Sequence, residues 1–293
     1  MSLSVAGKYA VITGAGSGIN LAFAKLLLER GCSVLIGDLA LRPEASALVS
    51  QYSPNPHQTA ALSRLWDTAL ATFPRIDIVV PGAGIFEPAW SSFWHAPKTA
   101  SNPDTKSRDA AGGEPGTYAV IDVNLTHPIR LSQLAIGHWT QTHRPGCLVH
   151  VSSIAGHAFG FGTPLYFASK HGLHAFVRSL GEMRDRVGIR CSAVAPGAVM
   201  TPMWREDPDK KHMAEEEDAK LFTEPGEIAQ GMLELCENPE YGNGTILEVV
   251  KGRKRVVPFY HAEPPQGDGV FIPKYKEGAE KLWDGLESEG LKV

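Results

Sequence analysis

The chain has 293 residues, a formal net charge of −4, 43% hydrophobic and 20% charged residues, the balance of a globular protein long enough to bury a sizeable core. That charge gives no reason to expect a nucleic-acid partner, and no apolar run approaches the roughly 18 residues a membrane span needs. No signal-peptide pattern opens the chain, and Cys32, Cys147, Cys191 and Cys236 are widely spaced without a CxxC pair, so buried free thiols and a cytoplasmic location are expected.

Apolar runs at 9–13, 32–37, 76–81, 146–152, 189–195 and 244–250 read as strands, and helical patterns at 18–30, 62–73, 118–142, 165–185 and 225–237 alternate with them. Such alternation predicts an α/β fold, a doubly wound parallel sheet in three α/β/α layers. No repeat or second domain is visible: one domain is expected over 1–258, with an insertion at about 86–117 and a tail at 259–293. The basic run Lys251-Gly252-Arg253-Lys254-Arg255 reads as a solvated strand end rather than a nucleic-acid patch.

Tyr9-Ala10-Val11-Ile12 is a short buried strand by pattern, Gly14, Gly16 and Gly18 make a tight turn, and Ile19 to Leu28 is helical. Strand, turn and helix in that order predict a Rossmann-type phosphate site, with a pyrophosphate against Gly14, Ser17, Gly18 and Ile19 at the helix N-terminus; the Gly-x-Gly-x-x-Gly spacing is absent, since position 19 is isoleucine, and a glycine-rich turn without ligand fits the same residues. Asp38, with Leu39 beside it, ends the second apolar run twenty positions after Gly18. A carboxylate there accepts both ribose hydroxyls and repels a 2′-phosphate, which predicts NAD with NADP less favoured. Arg42 blurs that choice, and an aspartate merely capping a turn fits the same residues.

Tyr166 and Lys170 lie four apart and share one face if their stretch is helical. An ammonium beside a phenol favours the phenolate, which lets tyrosine exchange a proton with an alcohol or carbonyl near neutral pH. Ser153, after the strand-like run 147–151, can hold the substrate oxygen, since a hydroxyl both donates and accepts. A tyrosine and a lysine on a solvated helix face would give the same spacing, and only the strand-end serine sets the two apart.

These residues together resemble the short-chain dehydrogenase/reductase family over about 7–255. The motifs carrying the resemblance are TGAGSGIN at 13–20, Pro81-Gly82-Ala83-Gly84, Asn124 in Asp122-Val123-Asn124-Leu125, Ser153, Tyr166 with Lys170, and PGAVMT at 196–201. Among relatives, the chain looks most like 15-hydroxyprostaglandin dehydrogenase-type enzymes. The resemblance implies that Tyr166 is the general acid/base, Lys170 its tuner and a ribose ligand, and Ser153 the group that positions the substrate oxygen. It further implies that Asn124 holds a relay water, that Gly82 and Ala83 flank the cofactor, and that Pro196, Val199 and Thr201 bring backbone and hydroxyl to the nicotinamide carboxamide. By resemblance only, a homodimer or homotetramer is expected.

Three departures bear on cofactor affinity. Asn20 stands where the family's TGxxxGxG has its last glycine, the segment at 81–84 lacks both asparagines of NNAG, and the stretch between Asp38 and Pro81 is short, without a clear third strand and turn-like from 52 to 58. The expected function is NAD-dependent interconversion of a secondary alcohol and a ketone on a hydrophobic small molecule, such as a lipid, steroid, terpenoid or polyketide. Phe86, Trp90, Phe93, Met200, Met203 and Trp204 are its candidate contacts. The departures motivate an alternative, the same scaffold in a non-redox role as isomerase, cyclase or binding protein.

The insertion, with Trp90, Phe93 and Trp94, reads equally as a substrate lid or a solvated loop. In the tail, 274–286 reads as a helix docking Trp283 on a partner subunit or as a frayed end. His171 and His174 lack a third ligand at useful spacing, so no metal site is expected, while His150 and His157 flank Ser153 and are candidates to line the pocket.

Overall fold

The computed structural model describes residues 3–52, 62–110, 118–202, 220–259 and 275–291. Among them the chain runs β1 (Tyr9–Thr13), α1 (Gly18–Glu29), β2 (Ser33–Gly37), α2 (Pro43–Tyr52), α3 (Leu62–Thr72) and β3 (Ile78–Val80). A long helix follows in three parts: α4 (Ala119–Ile121), a π segment (Asp122–Thr126) and α5 (His127–Gln141). Then come β4 (Gly146–Val151), a 3₁₀ turn (Ile154–Gly156), α6 (Pro164–Ser179), α7 (Met183–Val187), β5 (Ile189–Pro196), α8 (Pro225–Glu237), β6 (Asn243–Val250), β7 (Arg253–Val256) and α9 (Tyr275–Glu289).

The sheet order is β2-β1-β3-β4-β5-β6-β7, with every pairing parallel except the antiparallel β6–β7 edge. All six strands expected from the apolar runs form, and β5 is buried at each of its eight positions, Arg190 and Ser192 included, as a strand covered on both faces is. One face packs α1 and α8, through Phe23, Ala24, Leu27, Ile228 and Met232. The other packs α3, α5 and α6, through Leu65, Trp66, Leu131, Trp139, Leu173 and Val177. The chain leaves β1 for β2 on one side and returns to β3 on the other, so a crevice opens at the carboxyl ends of β1 and β3.

Several expectations change. The helix read at 165–185 divides into α6 and α7, and α2 joins the elements where only a short connection was read. Among the described residues β2 is the sheet edge; residues 53–58 of the turn-like stretch lie outside them. The basic run is the exposed strand β7, whose Lys254 and Arg255 pair with Glu234 and Glu248 of the same chain; charges of this kind suit an edge strand. The tail helix contacts its own chain: Arg186 of α7 lies over the Trp283 ring at 5.3 Å and bonds Glu280 at 2.7 Å. All four cysteines are free and buried, and no described helix is long and apolar enough to cross a membrane.

Glu248 ties the β6–β7 edge to the turn after β4. Its carboxylate accepts both Arg255 nitrogens, at 2.7 and 2.8 Å, and contacts His157 Nε2 at 2.7 Å. Arg255 first, and His157 after it, hold the Glu248 carboxyl at about 2. A carboxyl depressed on folding contributes stability above its unfolded value, and that contribution is lost as pH falls toward 2. Glu248→Gln is therefore expected to lower the thermal midpoint at pH 6 and to flatten the loss of stability between pH 5 and pH 3; an unchanged acid slope would contradict the assignment.

Candidate active site

Gly14 turns the chain out of β1 with φ 71°, and a Cβ there would lie 2.6 Å from Ala83 Cα, so the turns after β1 and β3 touch backbone to backbone. Thr13 binds them from the β1 side, its hydroxyl donating to Val80 O (3.3 Å) and accepting from Gly82 N (3.0 Å) and Ala83 N (3.4 Å). Asn20 binds them from α1, its Nδ2 donating to Gly82 O at 2.8 Å and Gly14 O at 3.3 Å. A side chain on Gly82 would run into the Asn20 amide. Two of the three departures are thus one exchange: the glycine of the helix has become asparagine, and an asparagine of the strand-end motif has become glycine, leaving one amide in the shared space.

Asp38 follows β2 at the rim of the same turn. One carboxylate oxygen accepts from Gly16 N at 2.6 Å and the other from Leu39 N at 2.7 Å and Ala40 N at 3.3 Å. It therefore caps its own turn and holds the glycine loop. Asn124 sits in the π segment, fully buried. It accepts from Ile85 N at 2.9 Å and donates to Ile85 O at 2.8 Å and Ser169 Oγ at 3.3 Å. Through these bonds the Asn124 side chain clamps that segment to α6, and it is not among the residues lining the cleft.

α6 begins at Pro164, whose missing N–H suits the first helical position, and its positions 166, 170, 173, 174 and 177 share one face. Lys170 is buried, donates to Val151 O at 3.0 Å and stands 5.6 Å from the centre of the Tyr166 ring. Burial pulls its ammonium down to about 8. The Tyr166 phenol is held above its usual value by burial, and the Ser153 hydroxyl beside it opposes that rise. The Lys170 ammonium lies over the ring face, and the Ser153 hydroxyl stands beside the phenol. Ala155 N donates to Ser153 Oγ at 3.1 Å, which leaves the serine proton to point toward the phenol.

One cleft of about 900 Å³ joins these parts. Its lining includes Gly14, Ser17, Gly18, Ile19, Asp38, Leu39, Gly82 and Ala83 together with Ser153, Tyr166, Lys170, Pro196, Val199 and Thr201. Val199 pairs with Thr223, and Thr201 stands beside Gly18. Phe86 and Trp90 reach the cleft, Phe93 and Met200 do not, and Met203 and Trp204 lie outside the described residues. His150 and His157 do not line it either: His150 is buried against Ser132 and the Ser192 carbonyl, with burial pulling it down to about 4, and His157 serves Glu248. Among the described residues no three His, Cys, Asp or Glu side chains converge as metal ligands would.

Sequence reasoning missed Glu87 and His127. Glu87, buried at 6% exposure, bonds Tyr166 N at 2.9 Å, and His127 lines the cleft. No spacing marks either one, since each is alone of its kind in its segment.

The description "short chain dehydrogenase" belongs to the family model that matches residues 8–212. Similar curated proteins include 1-deoxy-11-beta-hydroxypentalenate dehydrogenase of Streptomyces avermitilis, 31% identical over 67% of this chain and 70% of that one. Cis-4-hydroxycyclohexanecarboxylate dehydrogenase of Sinomonas cyclohexanicum is 31% identical over 86% and 98%, and the NAD(+) 15-hydroxyprostaglandin dehydrogenase of Rattus norvegicus 26% over 86% and 94%. A crystal structure from Beutenbergia cavernae, assigned as an NAD(P)-dependent gluconate 5-dehydrogenase with NADP at low occupancy, superposes with a TM-score of 0.65 at 24% identity, covering 86% of this chain and 98% of that one.

The exchange at positions 20 and 82 makes a double-mutant prediction. Asn20→Gly is expected to cost about 1–2 kcal/mol through two lost hydrogen bonds, Gly82→Asn more through collision, and the double variant to recover much of both losses. Thermal midpoints check this, and additive losses would contradict the exchange.

Proposed function

The chain belongs to the short-chain dehydrogenase family, and we propose that it oxidises a secondary alcohol, or reduces the matching ketone, on an apolar cyclic small molecule, with NAD preferred over NADP. Membership makes it an oxidoreductase using a nicotinamide cofactor. The single observation that supports the finer reading is the shared cleft, whose one lining includes the Ser153, Tyr166 and Lys170 group and the glycine turn with Asp38.

The residues present fit a dinucleotide. The first N–H groups of α1 have no acceptor within their own helix, so they suit a pyrophosphate. The Gly14 and Gly82 turns bring backbone rather than side chains to the same wall of the cleft. When bound, the nicotinamide accepts or supplies the hydride. For oxidation, Ser153 holds the substrate hydroxyl and Tyr166, as phenolate, takes its proton while the carbinol hydrogen leaves as hydride; reduction runs the same steps backward. Lys170 keeps a positive charge beside the ring that carries the phenolate.

The NAD preference rests on the Asp38 carboxylate at the rim, which disfavours a 2′-phosphate. The apolar substrate rests on Phe86, Trp90, Phe167 and Ala158 in the cleft wall. Two relatives act, by their names, on a hydroxypentalenate and a hydroxycyclohexanecarboxylate. The non-redox alternative drew its motive from Asn20 and the altered strand-end motif, and the complementary fit of Asn20 and Gly82 weakens that motive.

NADH and NADPH titrated separately into the protein, read by energy transfer from tryptophan, are expected to give the tighter constant for NADH, and Asp38→Ala to narrow the gap; equal or reversed affinities would overturn the preference. Tyr166→Phe is expected to abolish turnover of cyclohexanol or 1-indanol while NADH still binds. Ser153→Ala removes the group that opposes the rise of the phenol, so the pH limb of alcohol oxidation is expected to move to higher pH. A limb that stays or falls would remove Ser153 from that role.

A further inference from the structure

Glu87 has three unusual features together. It is buried, it is not glycine yet has φ 21°, and its carboxylate is shared between two elements. Its Oε1 accepts from Ser92 Oγ and Phe93 N, both at 3.0 Å, within the 86–110 segment. Its Oε2 accepts from Tyr166 N at 2.9 Å, the third residue of α6. The start of α6 needs such a partner: Pro164 brings no N–H, and Thr163 makes no side-chain cap. A carboxylate there also meets the positive end of a 16-residue helix. Backbone held at positive φ in a residue with a side chain is costly and persists where the surroundings over-determine it; here three donors converge on one buried carboxylate.

The same segment meets the start of α6 twice more. The Phe86 ring stands edge-on to the Tyr166 ring at 4.7 Å, and Trp94 donates through Nε1 to Phe161 O at 3.0 Å, with the two rings 4.6 Å apart. Phe86 and Trp90, on this segment, also wall the cleft.

We propose that Glu87 is a positioning residue for Tyr166, fixing the first turn of α6 to the aromatic segment that walls the cleft, so that an apolar ligand packed on Phe86 and Trp90 acts on the placement of the phenol. The inference rests on the reading of Tyr166 as the proton-transfer group. It adds that the wall contacting the ligand and the helix bearing the phenol are joined through one carboxylate. Glu87 touches neither substrate nor cofactor in this account; it acts through the backbone of Tyr166.

Glu87→Gln keeps shape and one acceptor oxygen but turns an NH₂ toward a donor, so one of the two elements loses its hold. Ser92→Ala loosens the segment without touching the bond to Tyr166. With NAD and 1-indanol, Glu87→Gln is expected to lower kcat roughly tenfold to a hundredfold, the scale of a small misplacement of a reacting group, with the NADH dissociation constant unchanged. The ionisation of the Tyr166 phenol, read by ultraviolet difference against Tyr166→Phe without cofactor, is expected to move upward as the phenol drifts from Ser153. Ser92→Ala is expected to change neither. Wild-type kcat and phenol titration in Glu87→Gln, or an equal loss in Ser92→Ala, would overturn the proposal. If Glu87→Gln fails to fold, Glu87→Asp, one methylene too short to reach Tyr166 N, gives the same two readouts. Turnover that survives Tyr166→Phe, or no turnover of any secondary alcohol by the wild type, would instead refute the proton-transfer reading; the phenol titration then still decides whether Glu87 places Tyr166.

Discussion

The structure depends on how the chain at 81–87 is held. This segment leaves β3 with no regular secondary structure of its own, lines the cleft, and carries backbone groups that no strand or helix ladder pairs. Thr13 from β1 and Asn20 from α1 hold Gly82, Thr13 also holds Ala83, and Asn124 from the π segment holds both the N–H and the C=O of Ile85. Glu87 then passes the hold to α6. Side chains from three elements thus fix one strip of backbone, and that strip fixes the spacing between the glycine turn and Tyr166.

This constraint accounts for several oddities elsewhere. The π segment widens the long helix where Asn124 must face Ile85, and π turns of this kind recur at functional sites. Gly82 must be bare because Asn20 fills its space. Burial moves the Lys170 ammonium down and the Tyr166 phenol up, so each neutral form is favoured and the two values part. Burial therefore sets the pair's acid–base behaviour before any ligand is considered, and Ser153 and Lys170 act on a phenol that burial alone would keep protonated.

Most of the fold was legible because burial dictates it directly. Strands such as Ile78–Val80 are apolar without a break since helices cover both faces of the sheet, and Tyr166 and Lys170 share a face by helical geometry alone. Elements with little buried surface were not legible: β7 is exposed at all four positions, so its charges hid a strand, and α2 buries only Ala45 and Leu48. In the site, residues that act through side chains at fixed spacing could be read, while those defined by a partner far along the chain could not. Asn20 looked like damage because Gly82 lies 62 residues away, and Glu87 was invisible because its partner Tyr166 is 79 residues on. Trp283 read as a candidate for a partner's surface because its seat on Arg186 depends on the tail folding back.

The account's central claim is that the cleft carries out hydride chemistry with Tyr166 moving the proton. The most direct measurement is to supply NADH deuterated at C4 with a cyclic ketone such as 1-indanone and locate the label in the product by mass spectrometry and NMR. The account predicts deuterium on the carbinol carbon, one per alcohol formed, and no such product from Tyr166→Phe. Product formed without consumption of the nucleotide, or without label on that carbon, would contradict it.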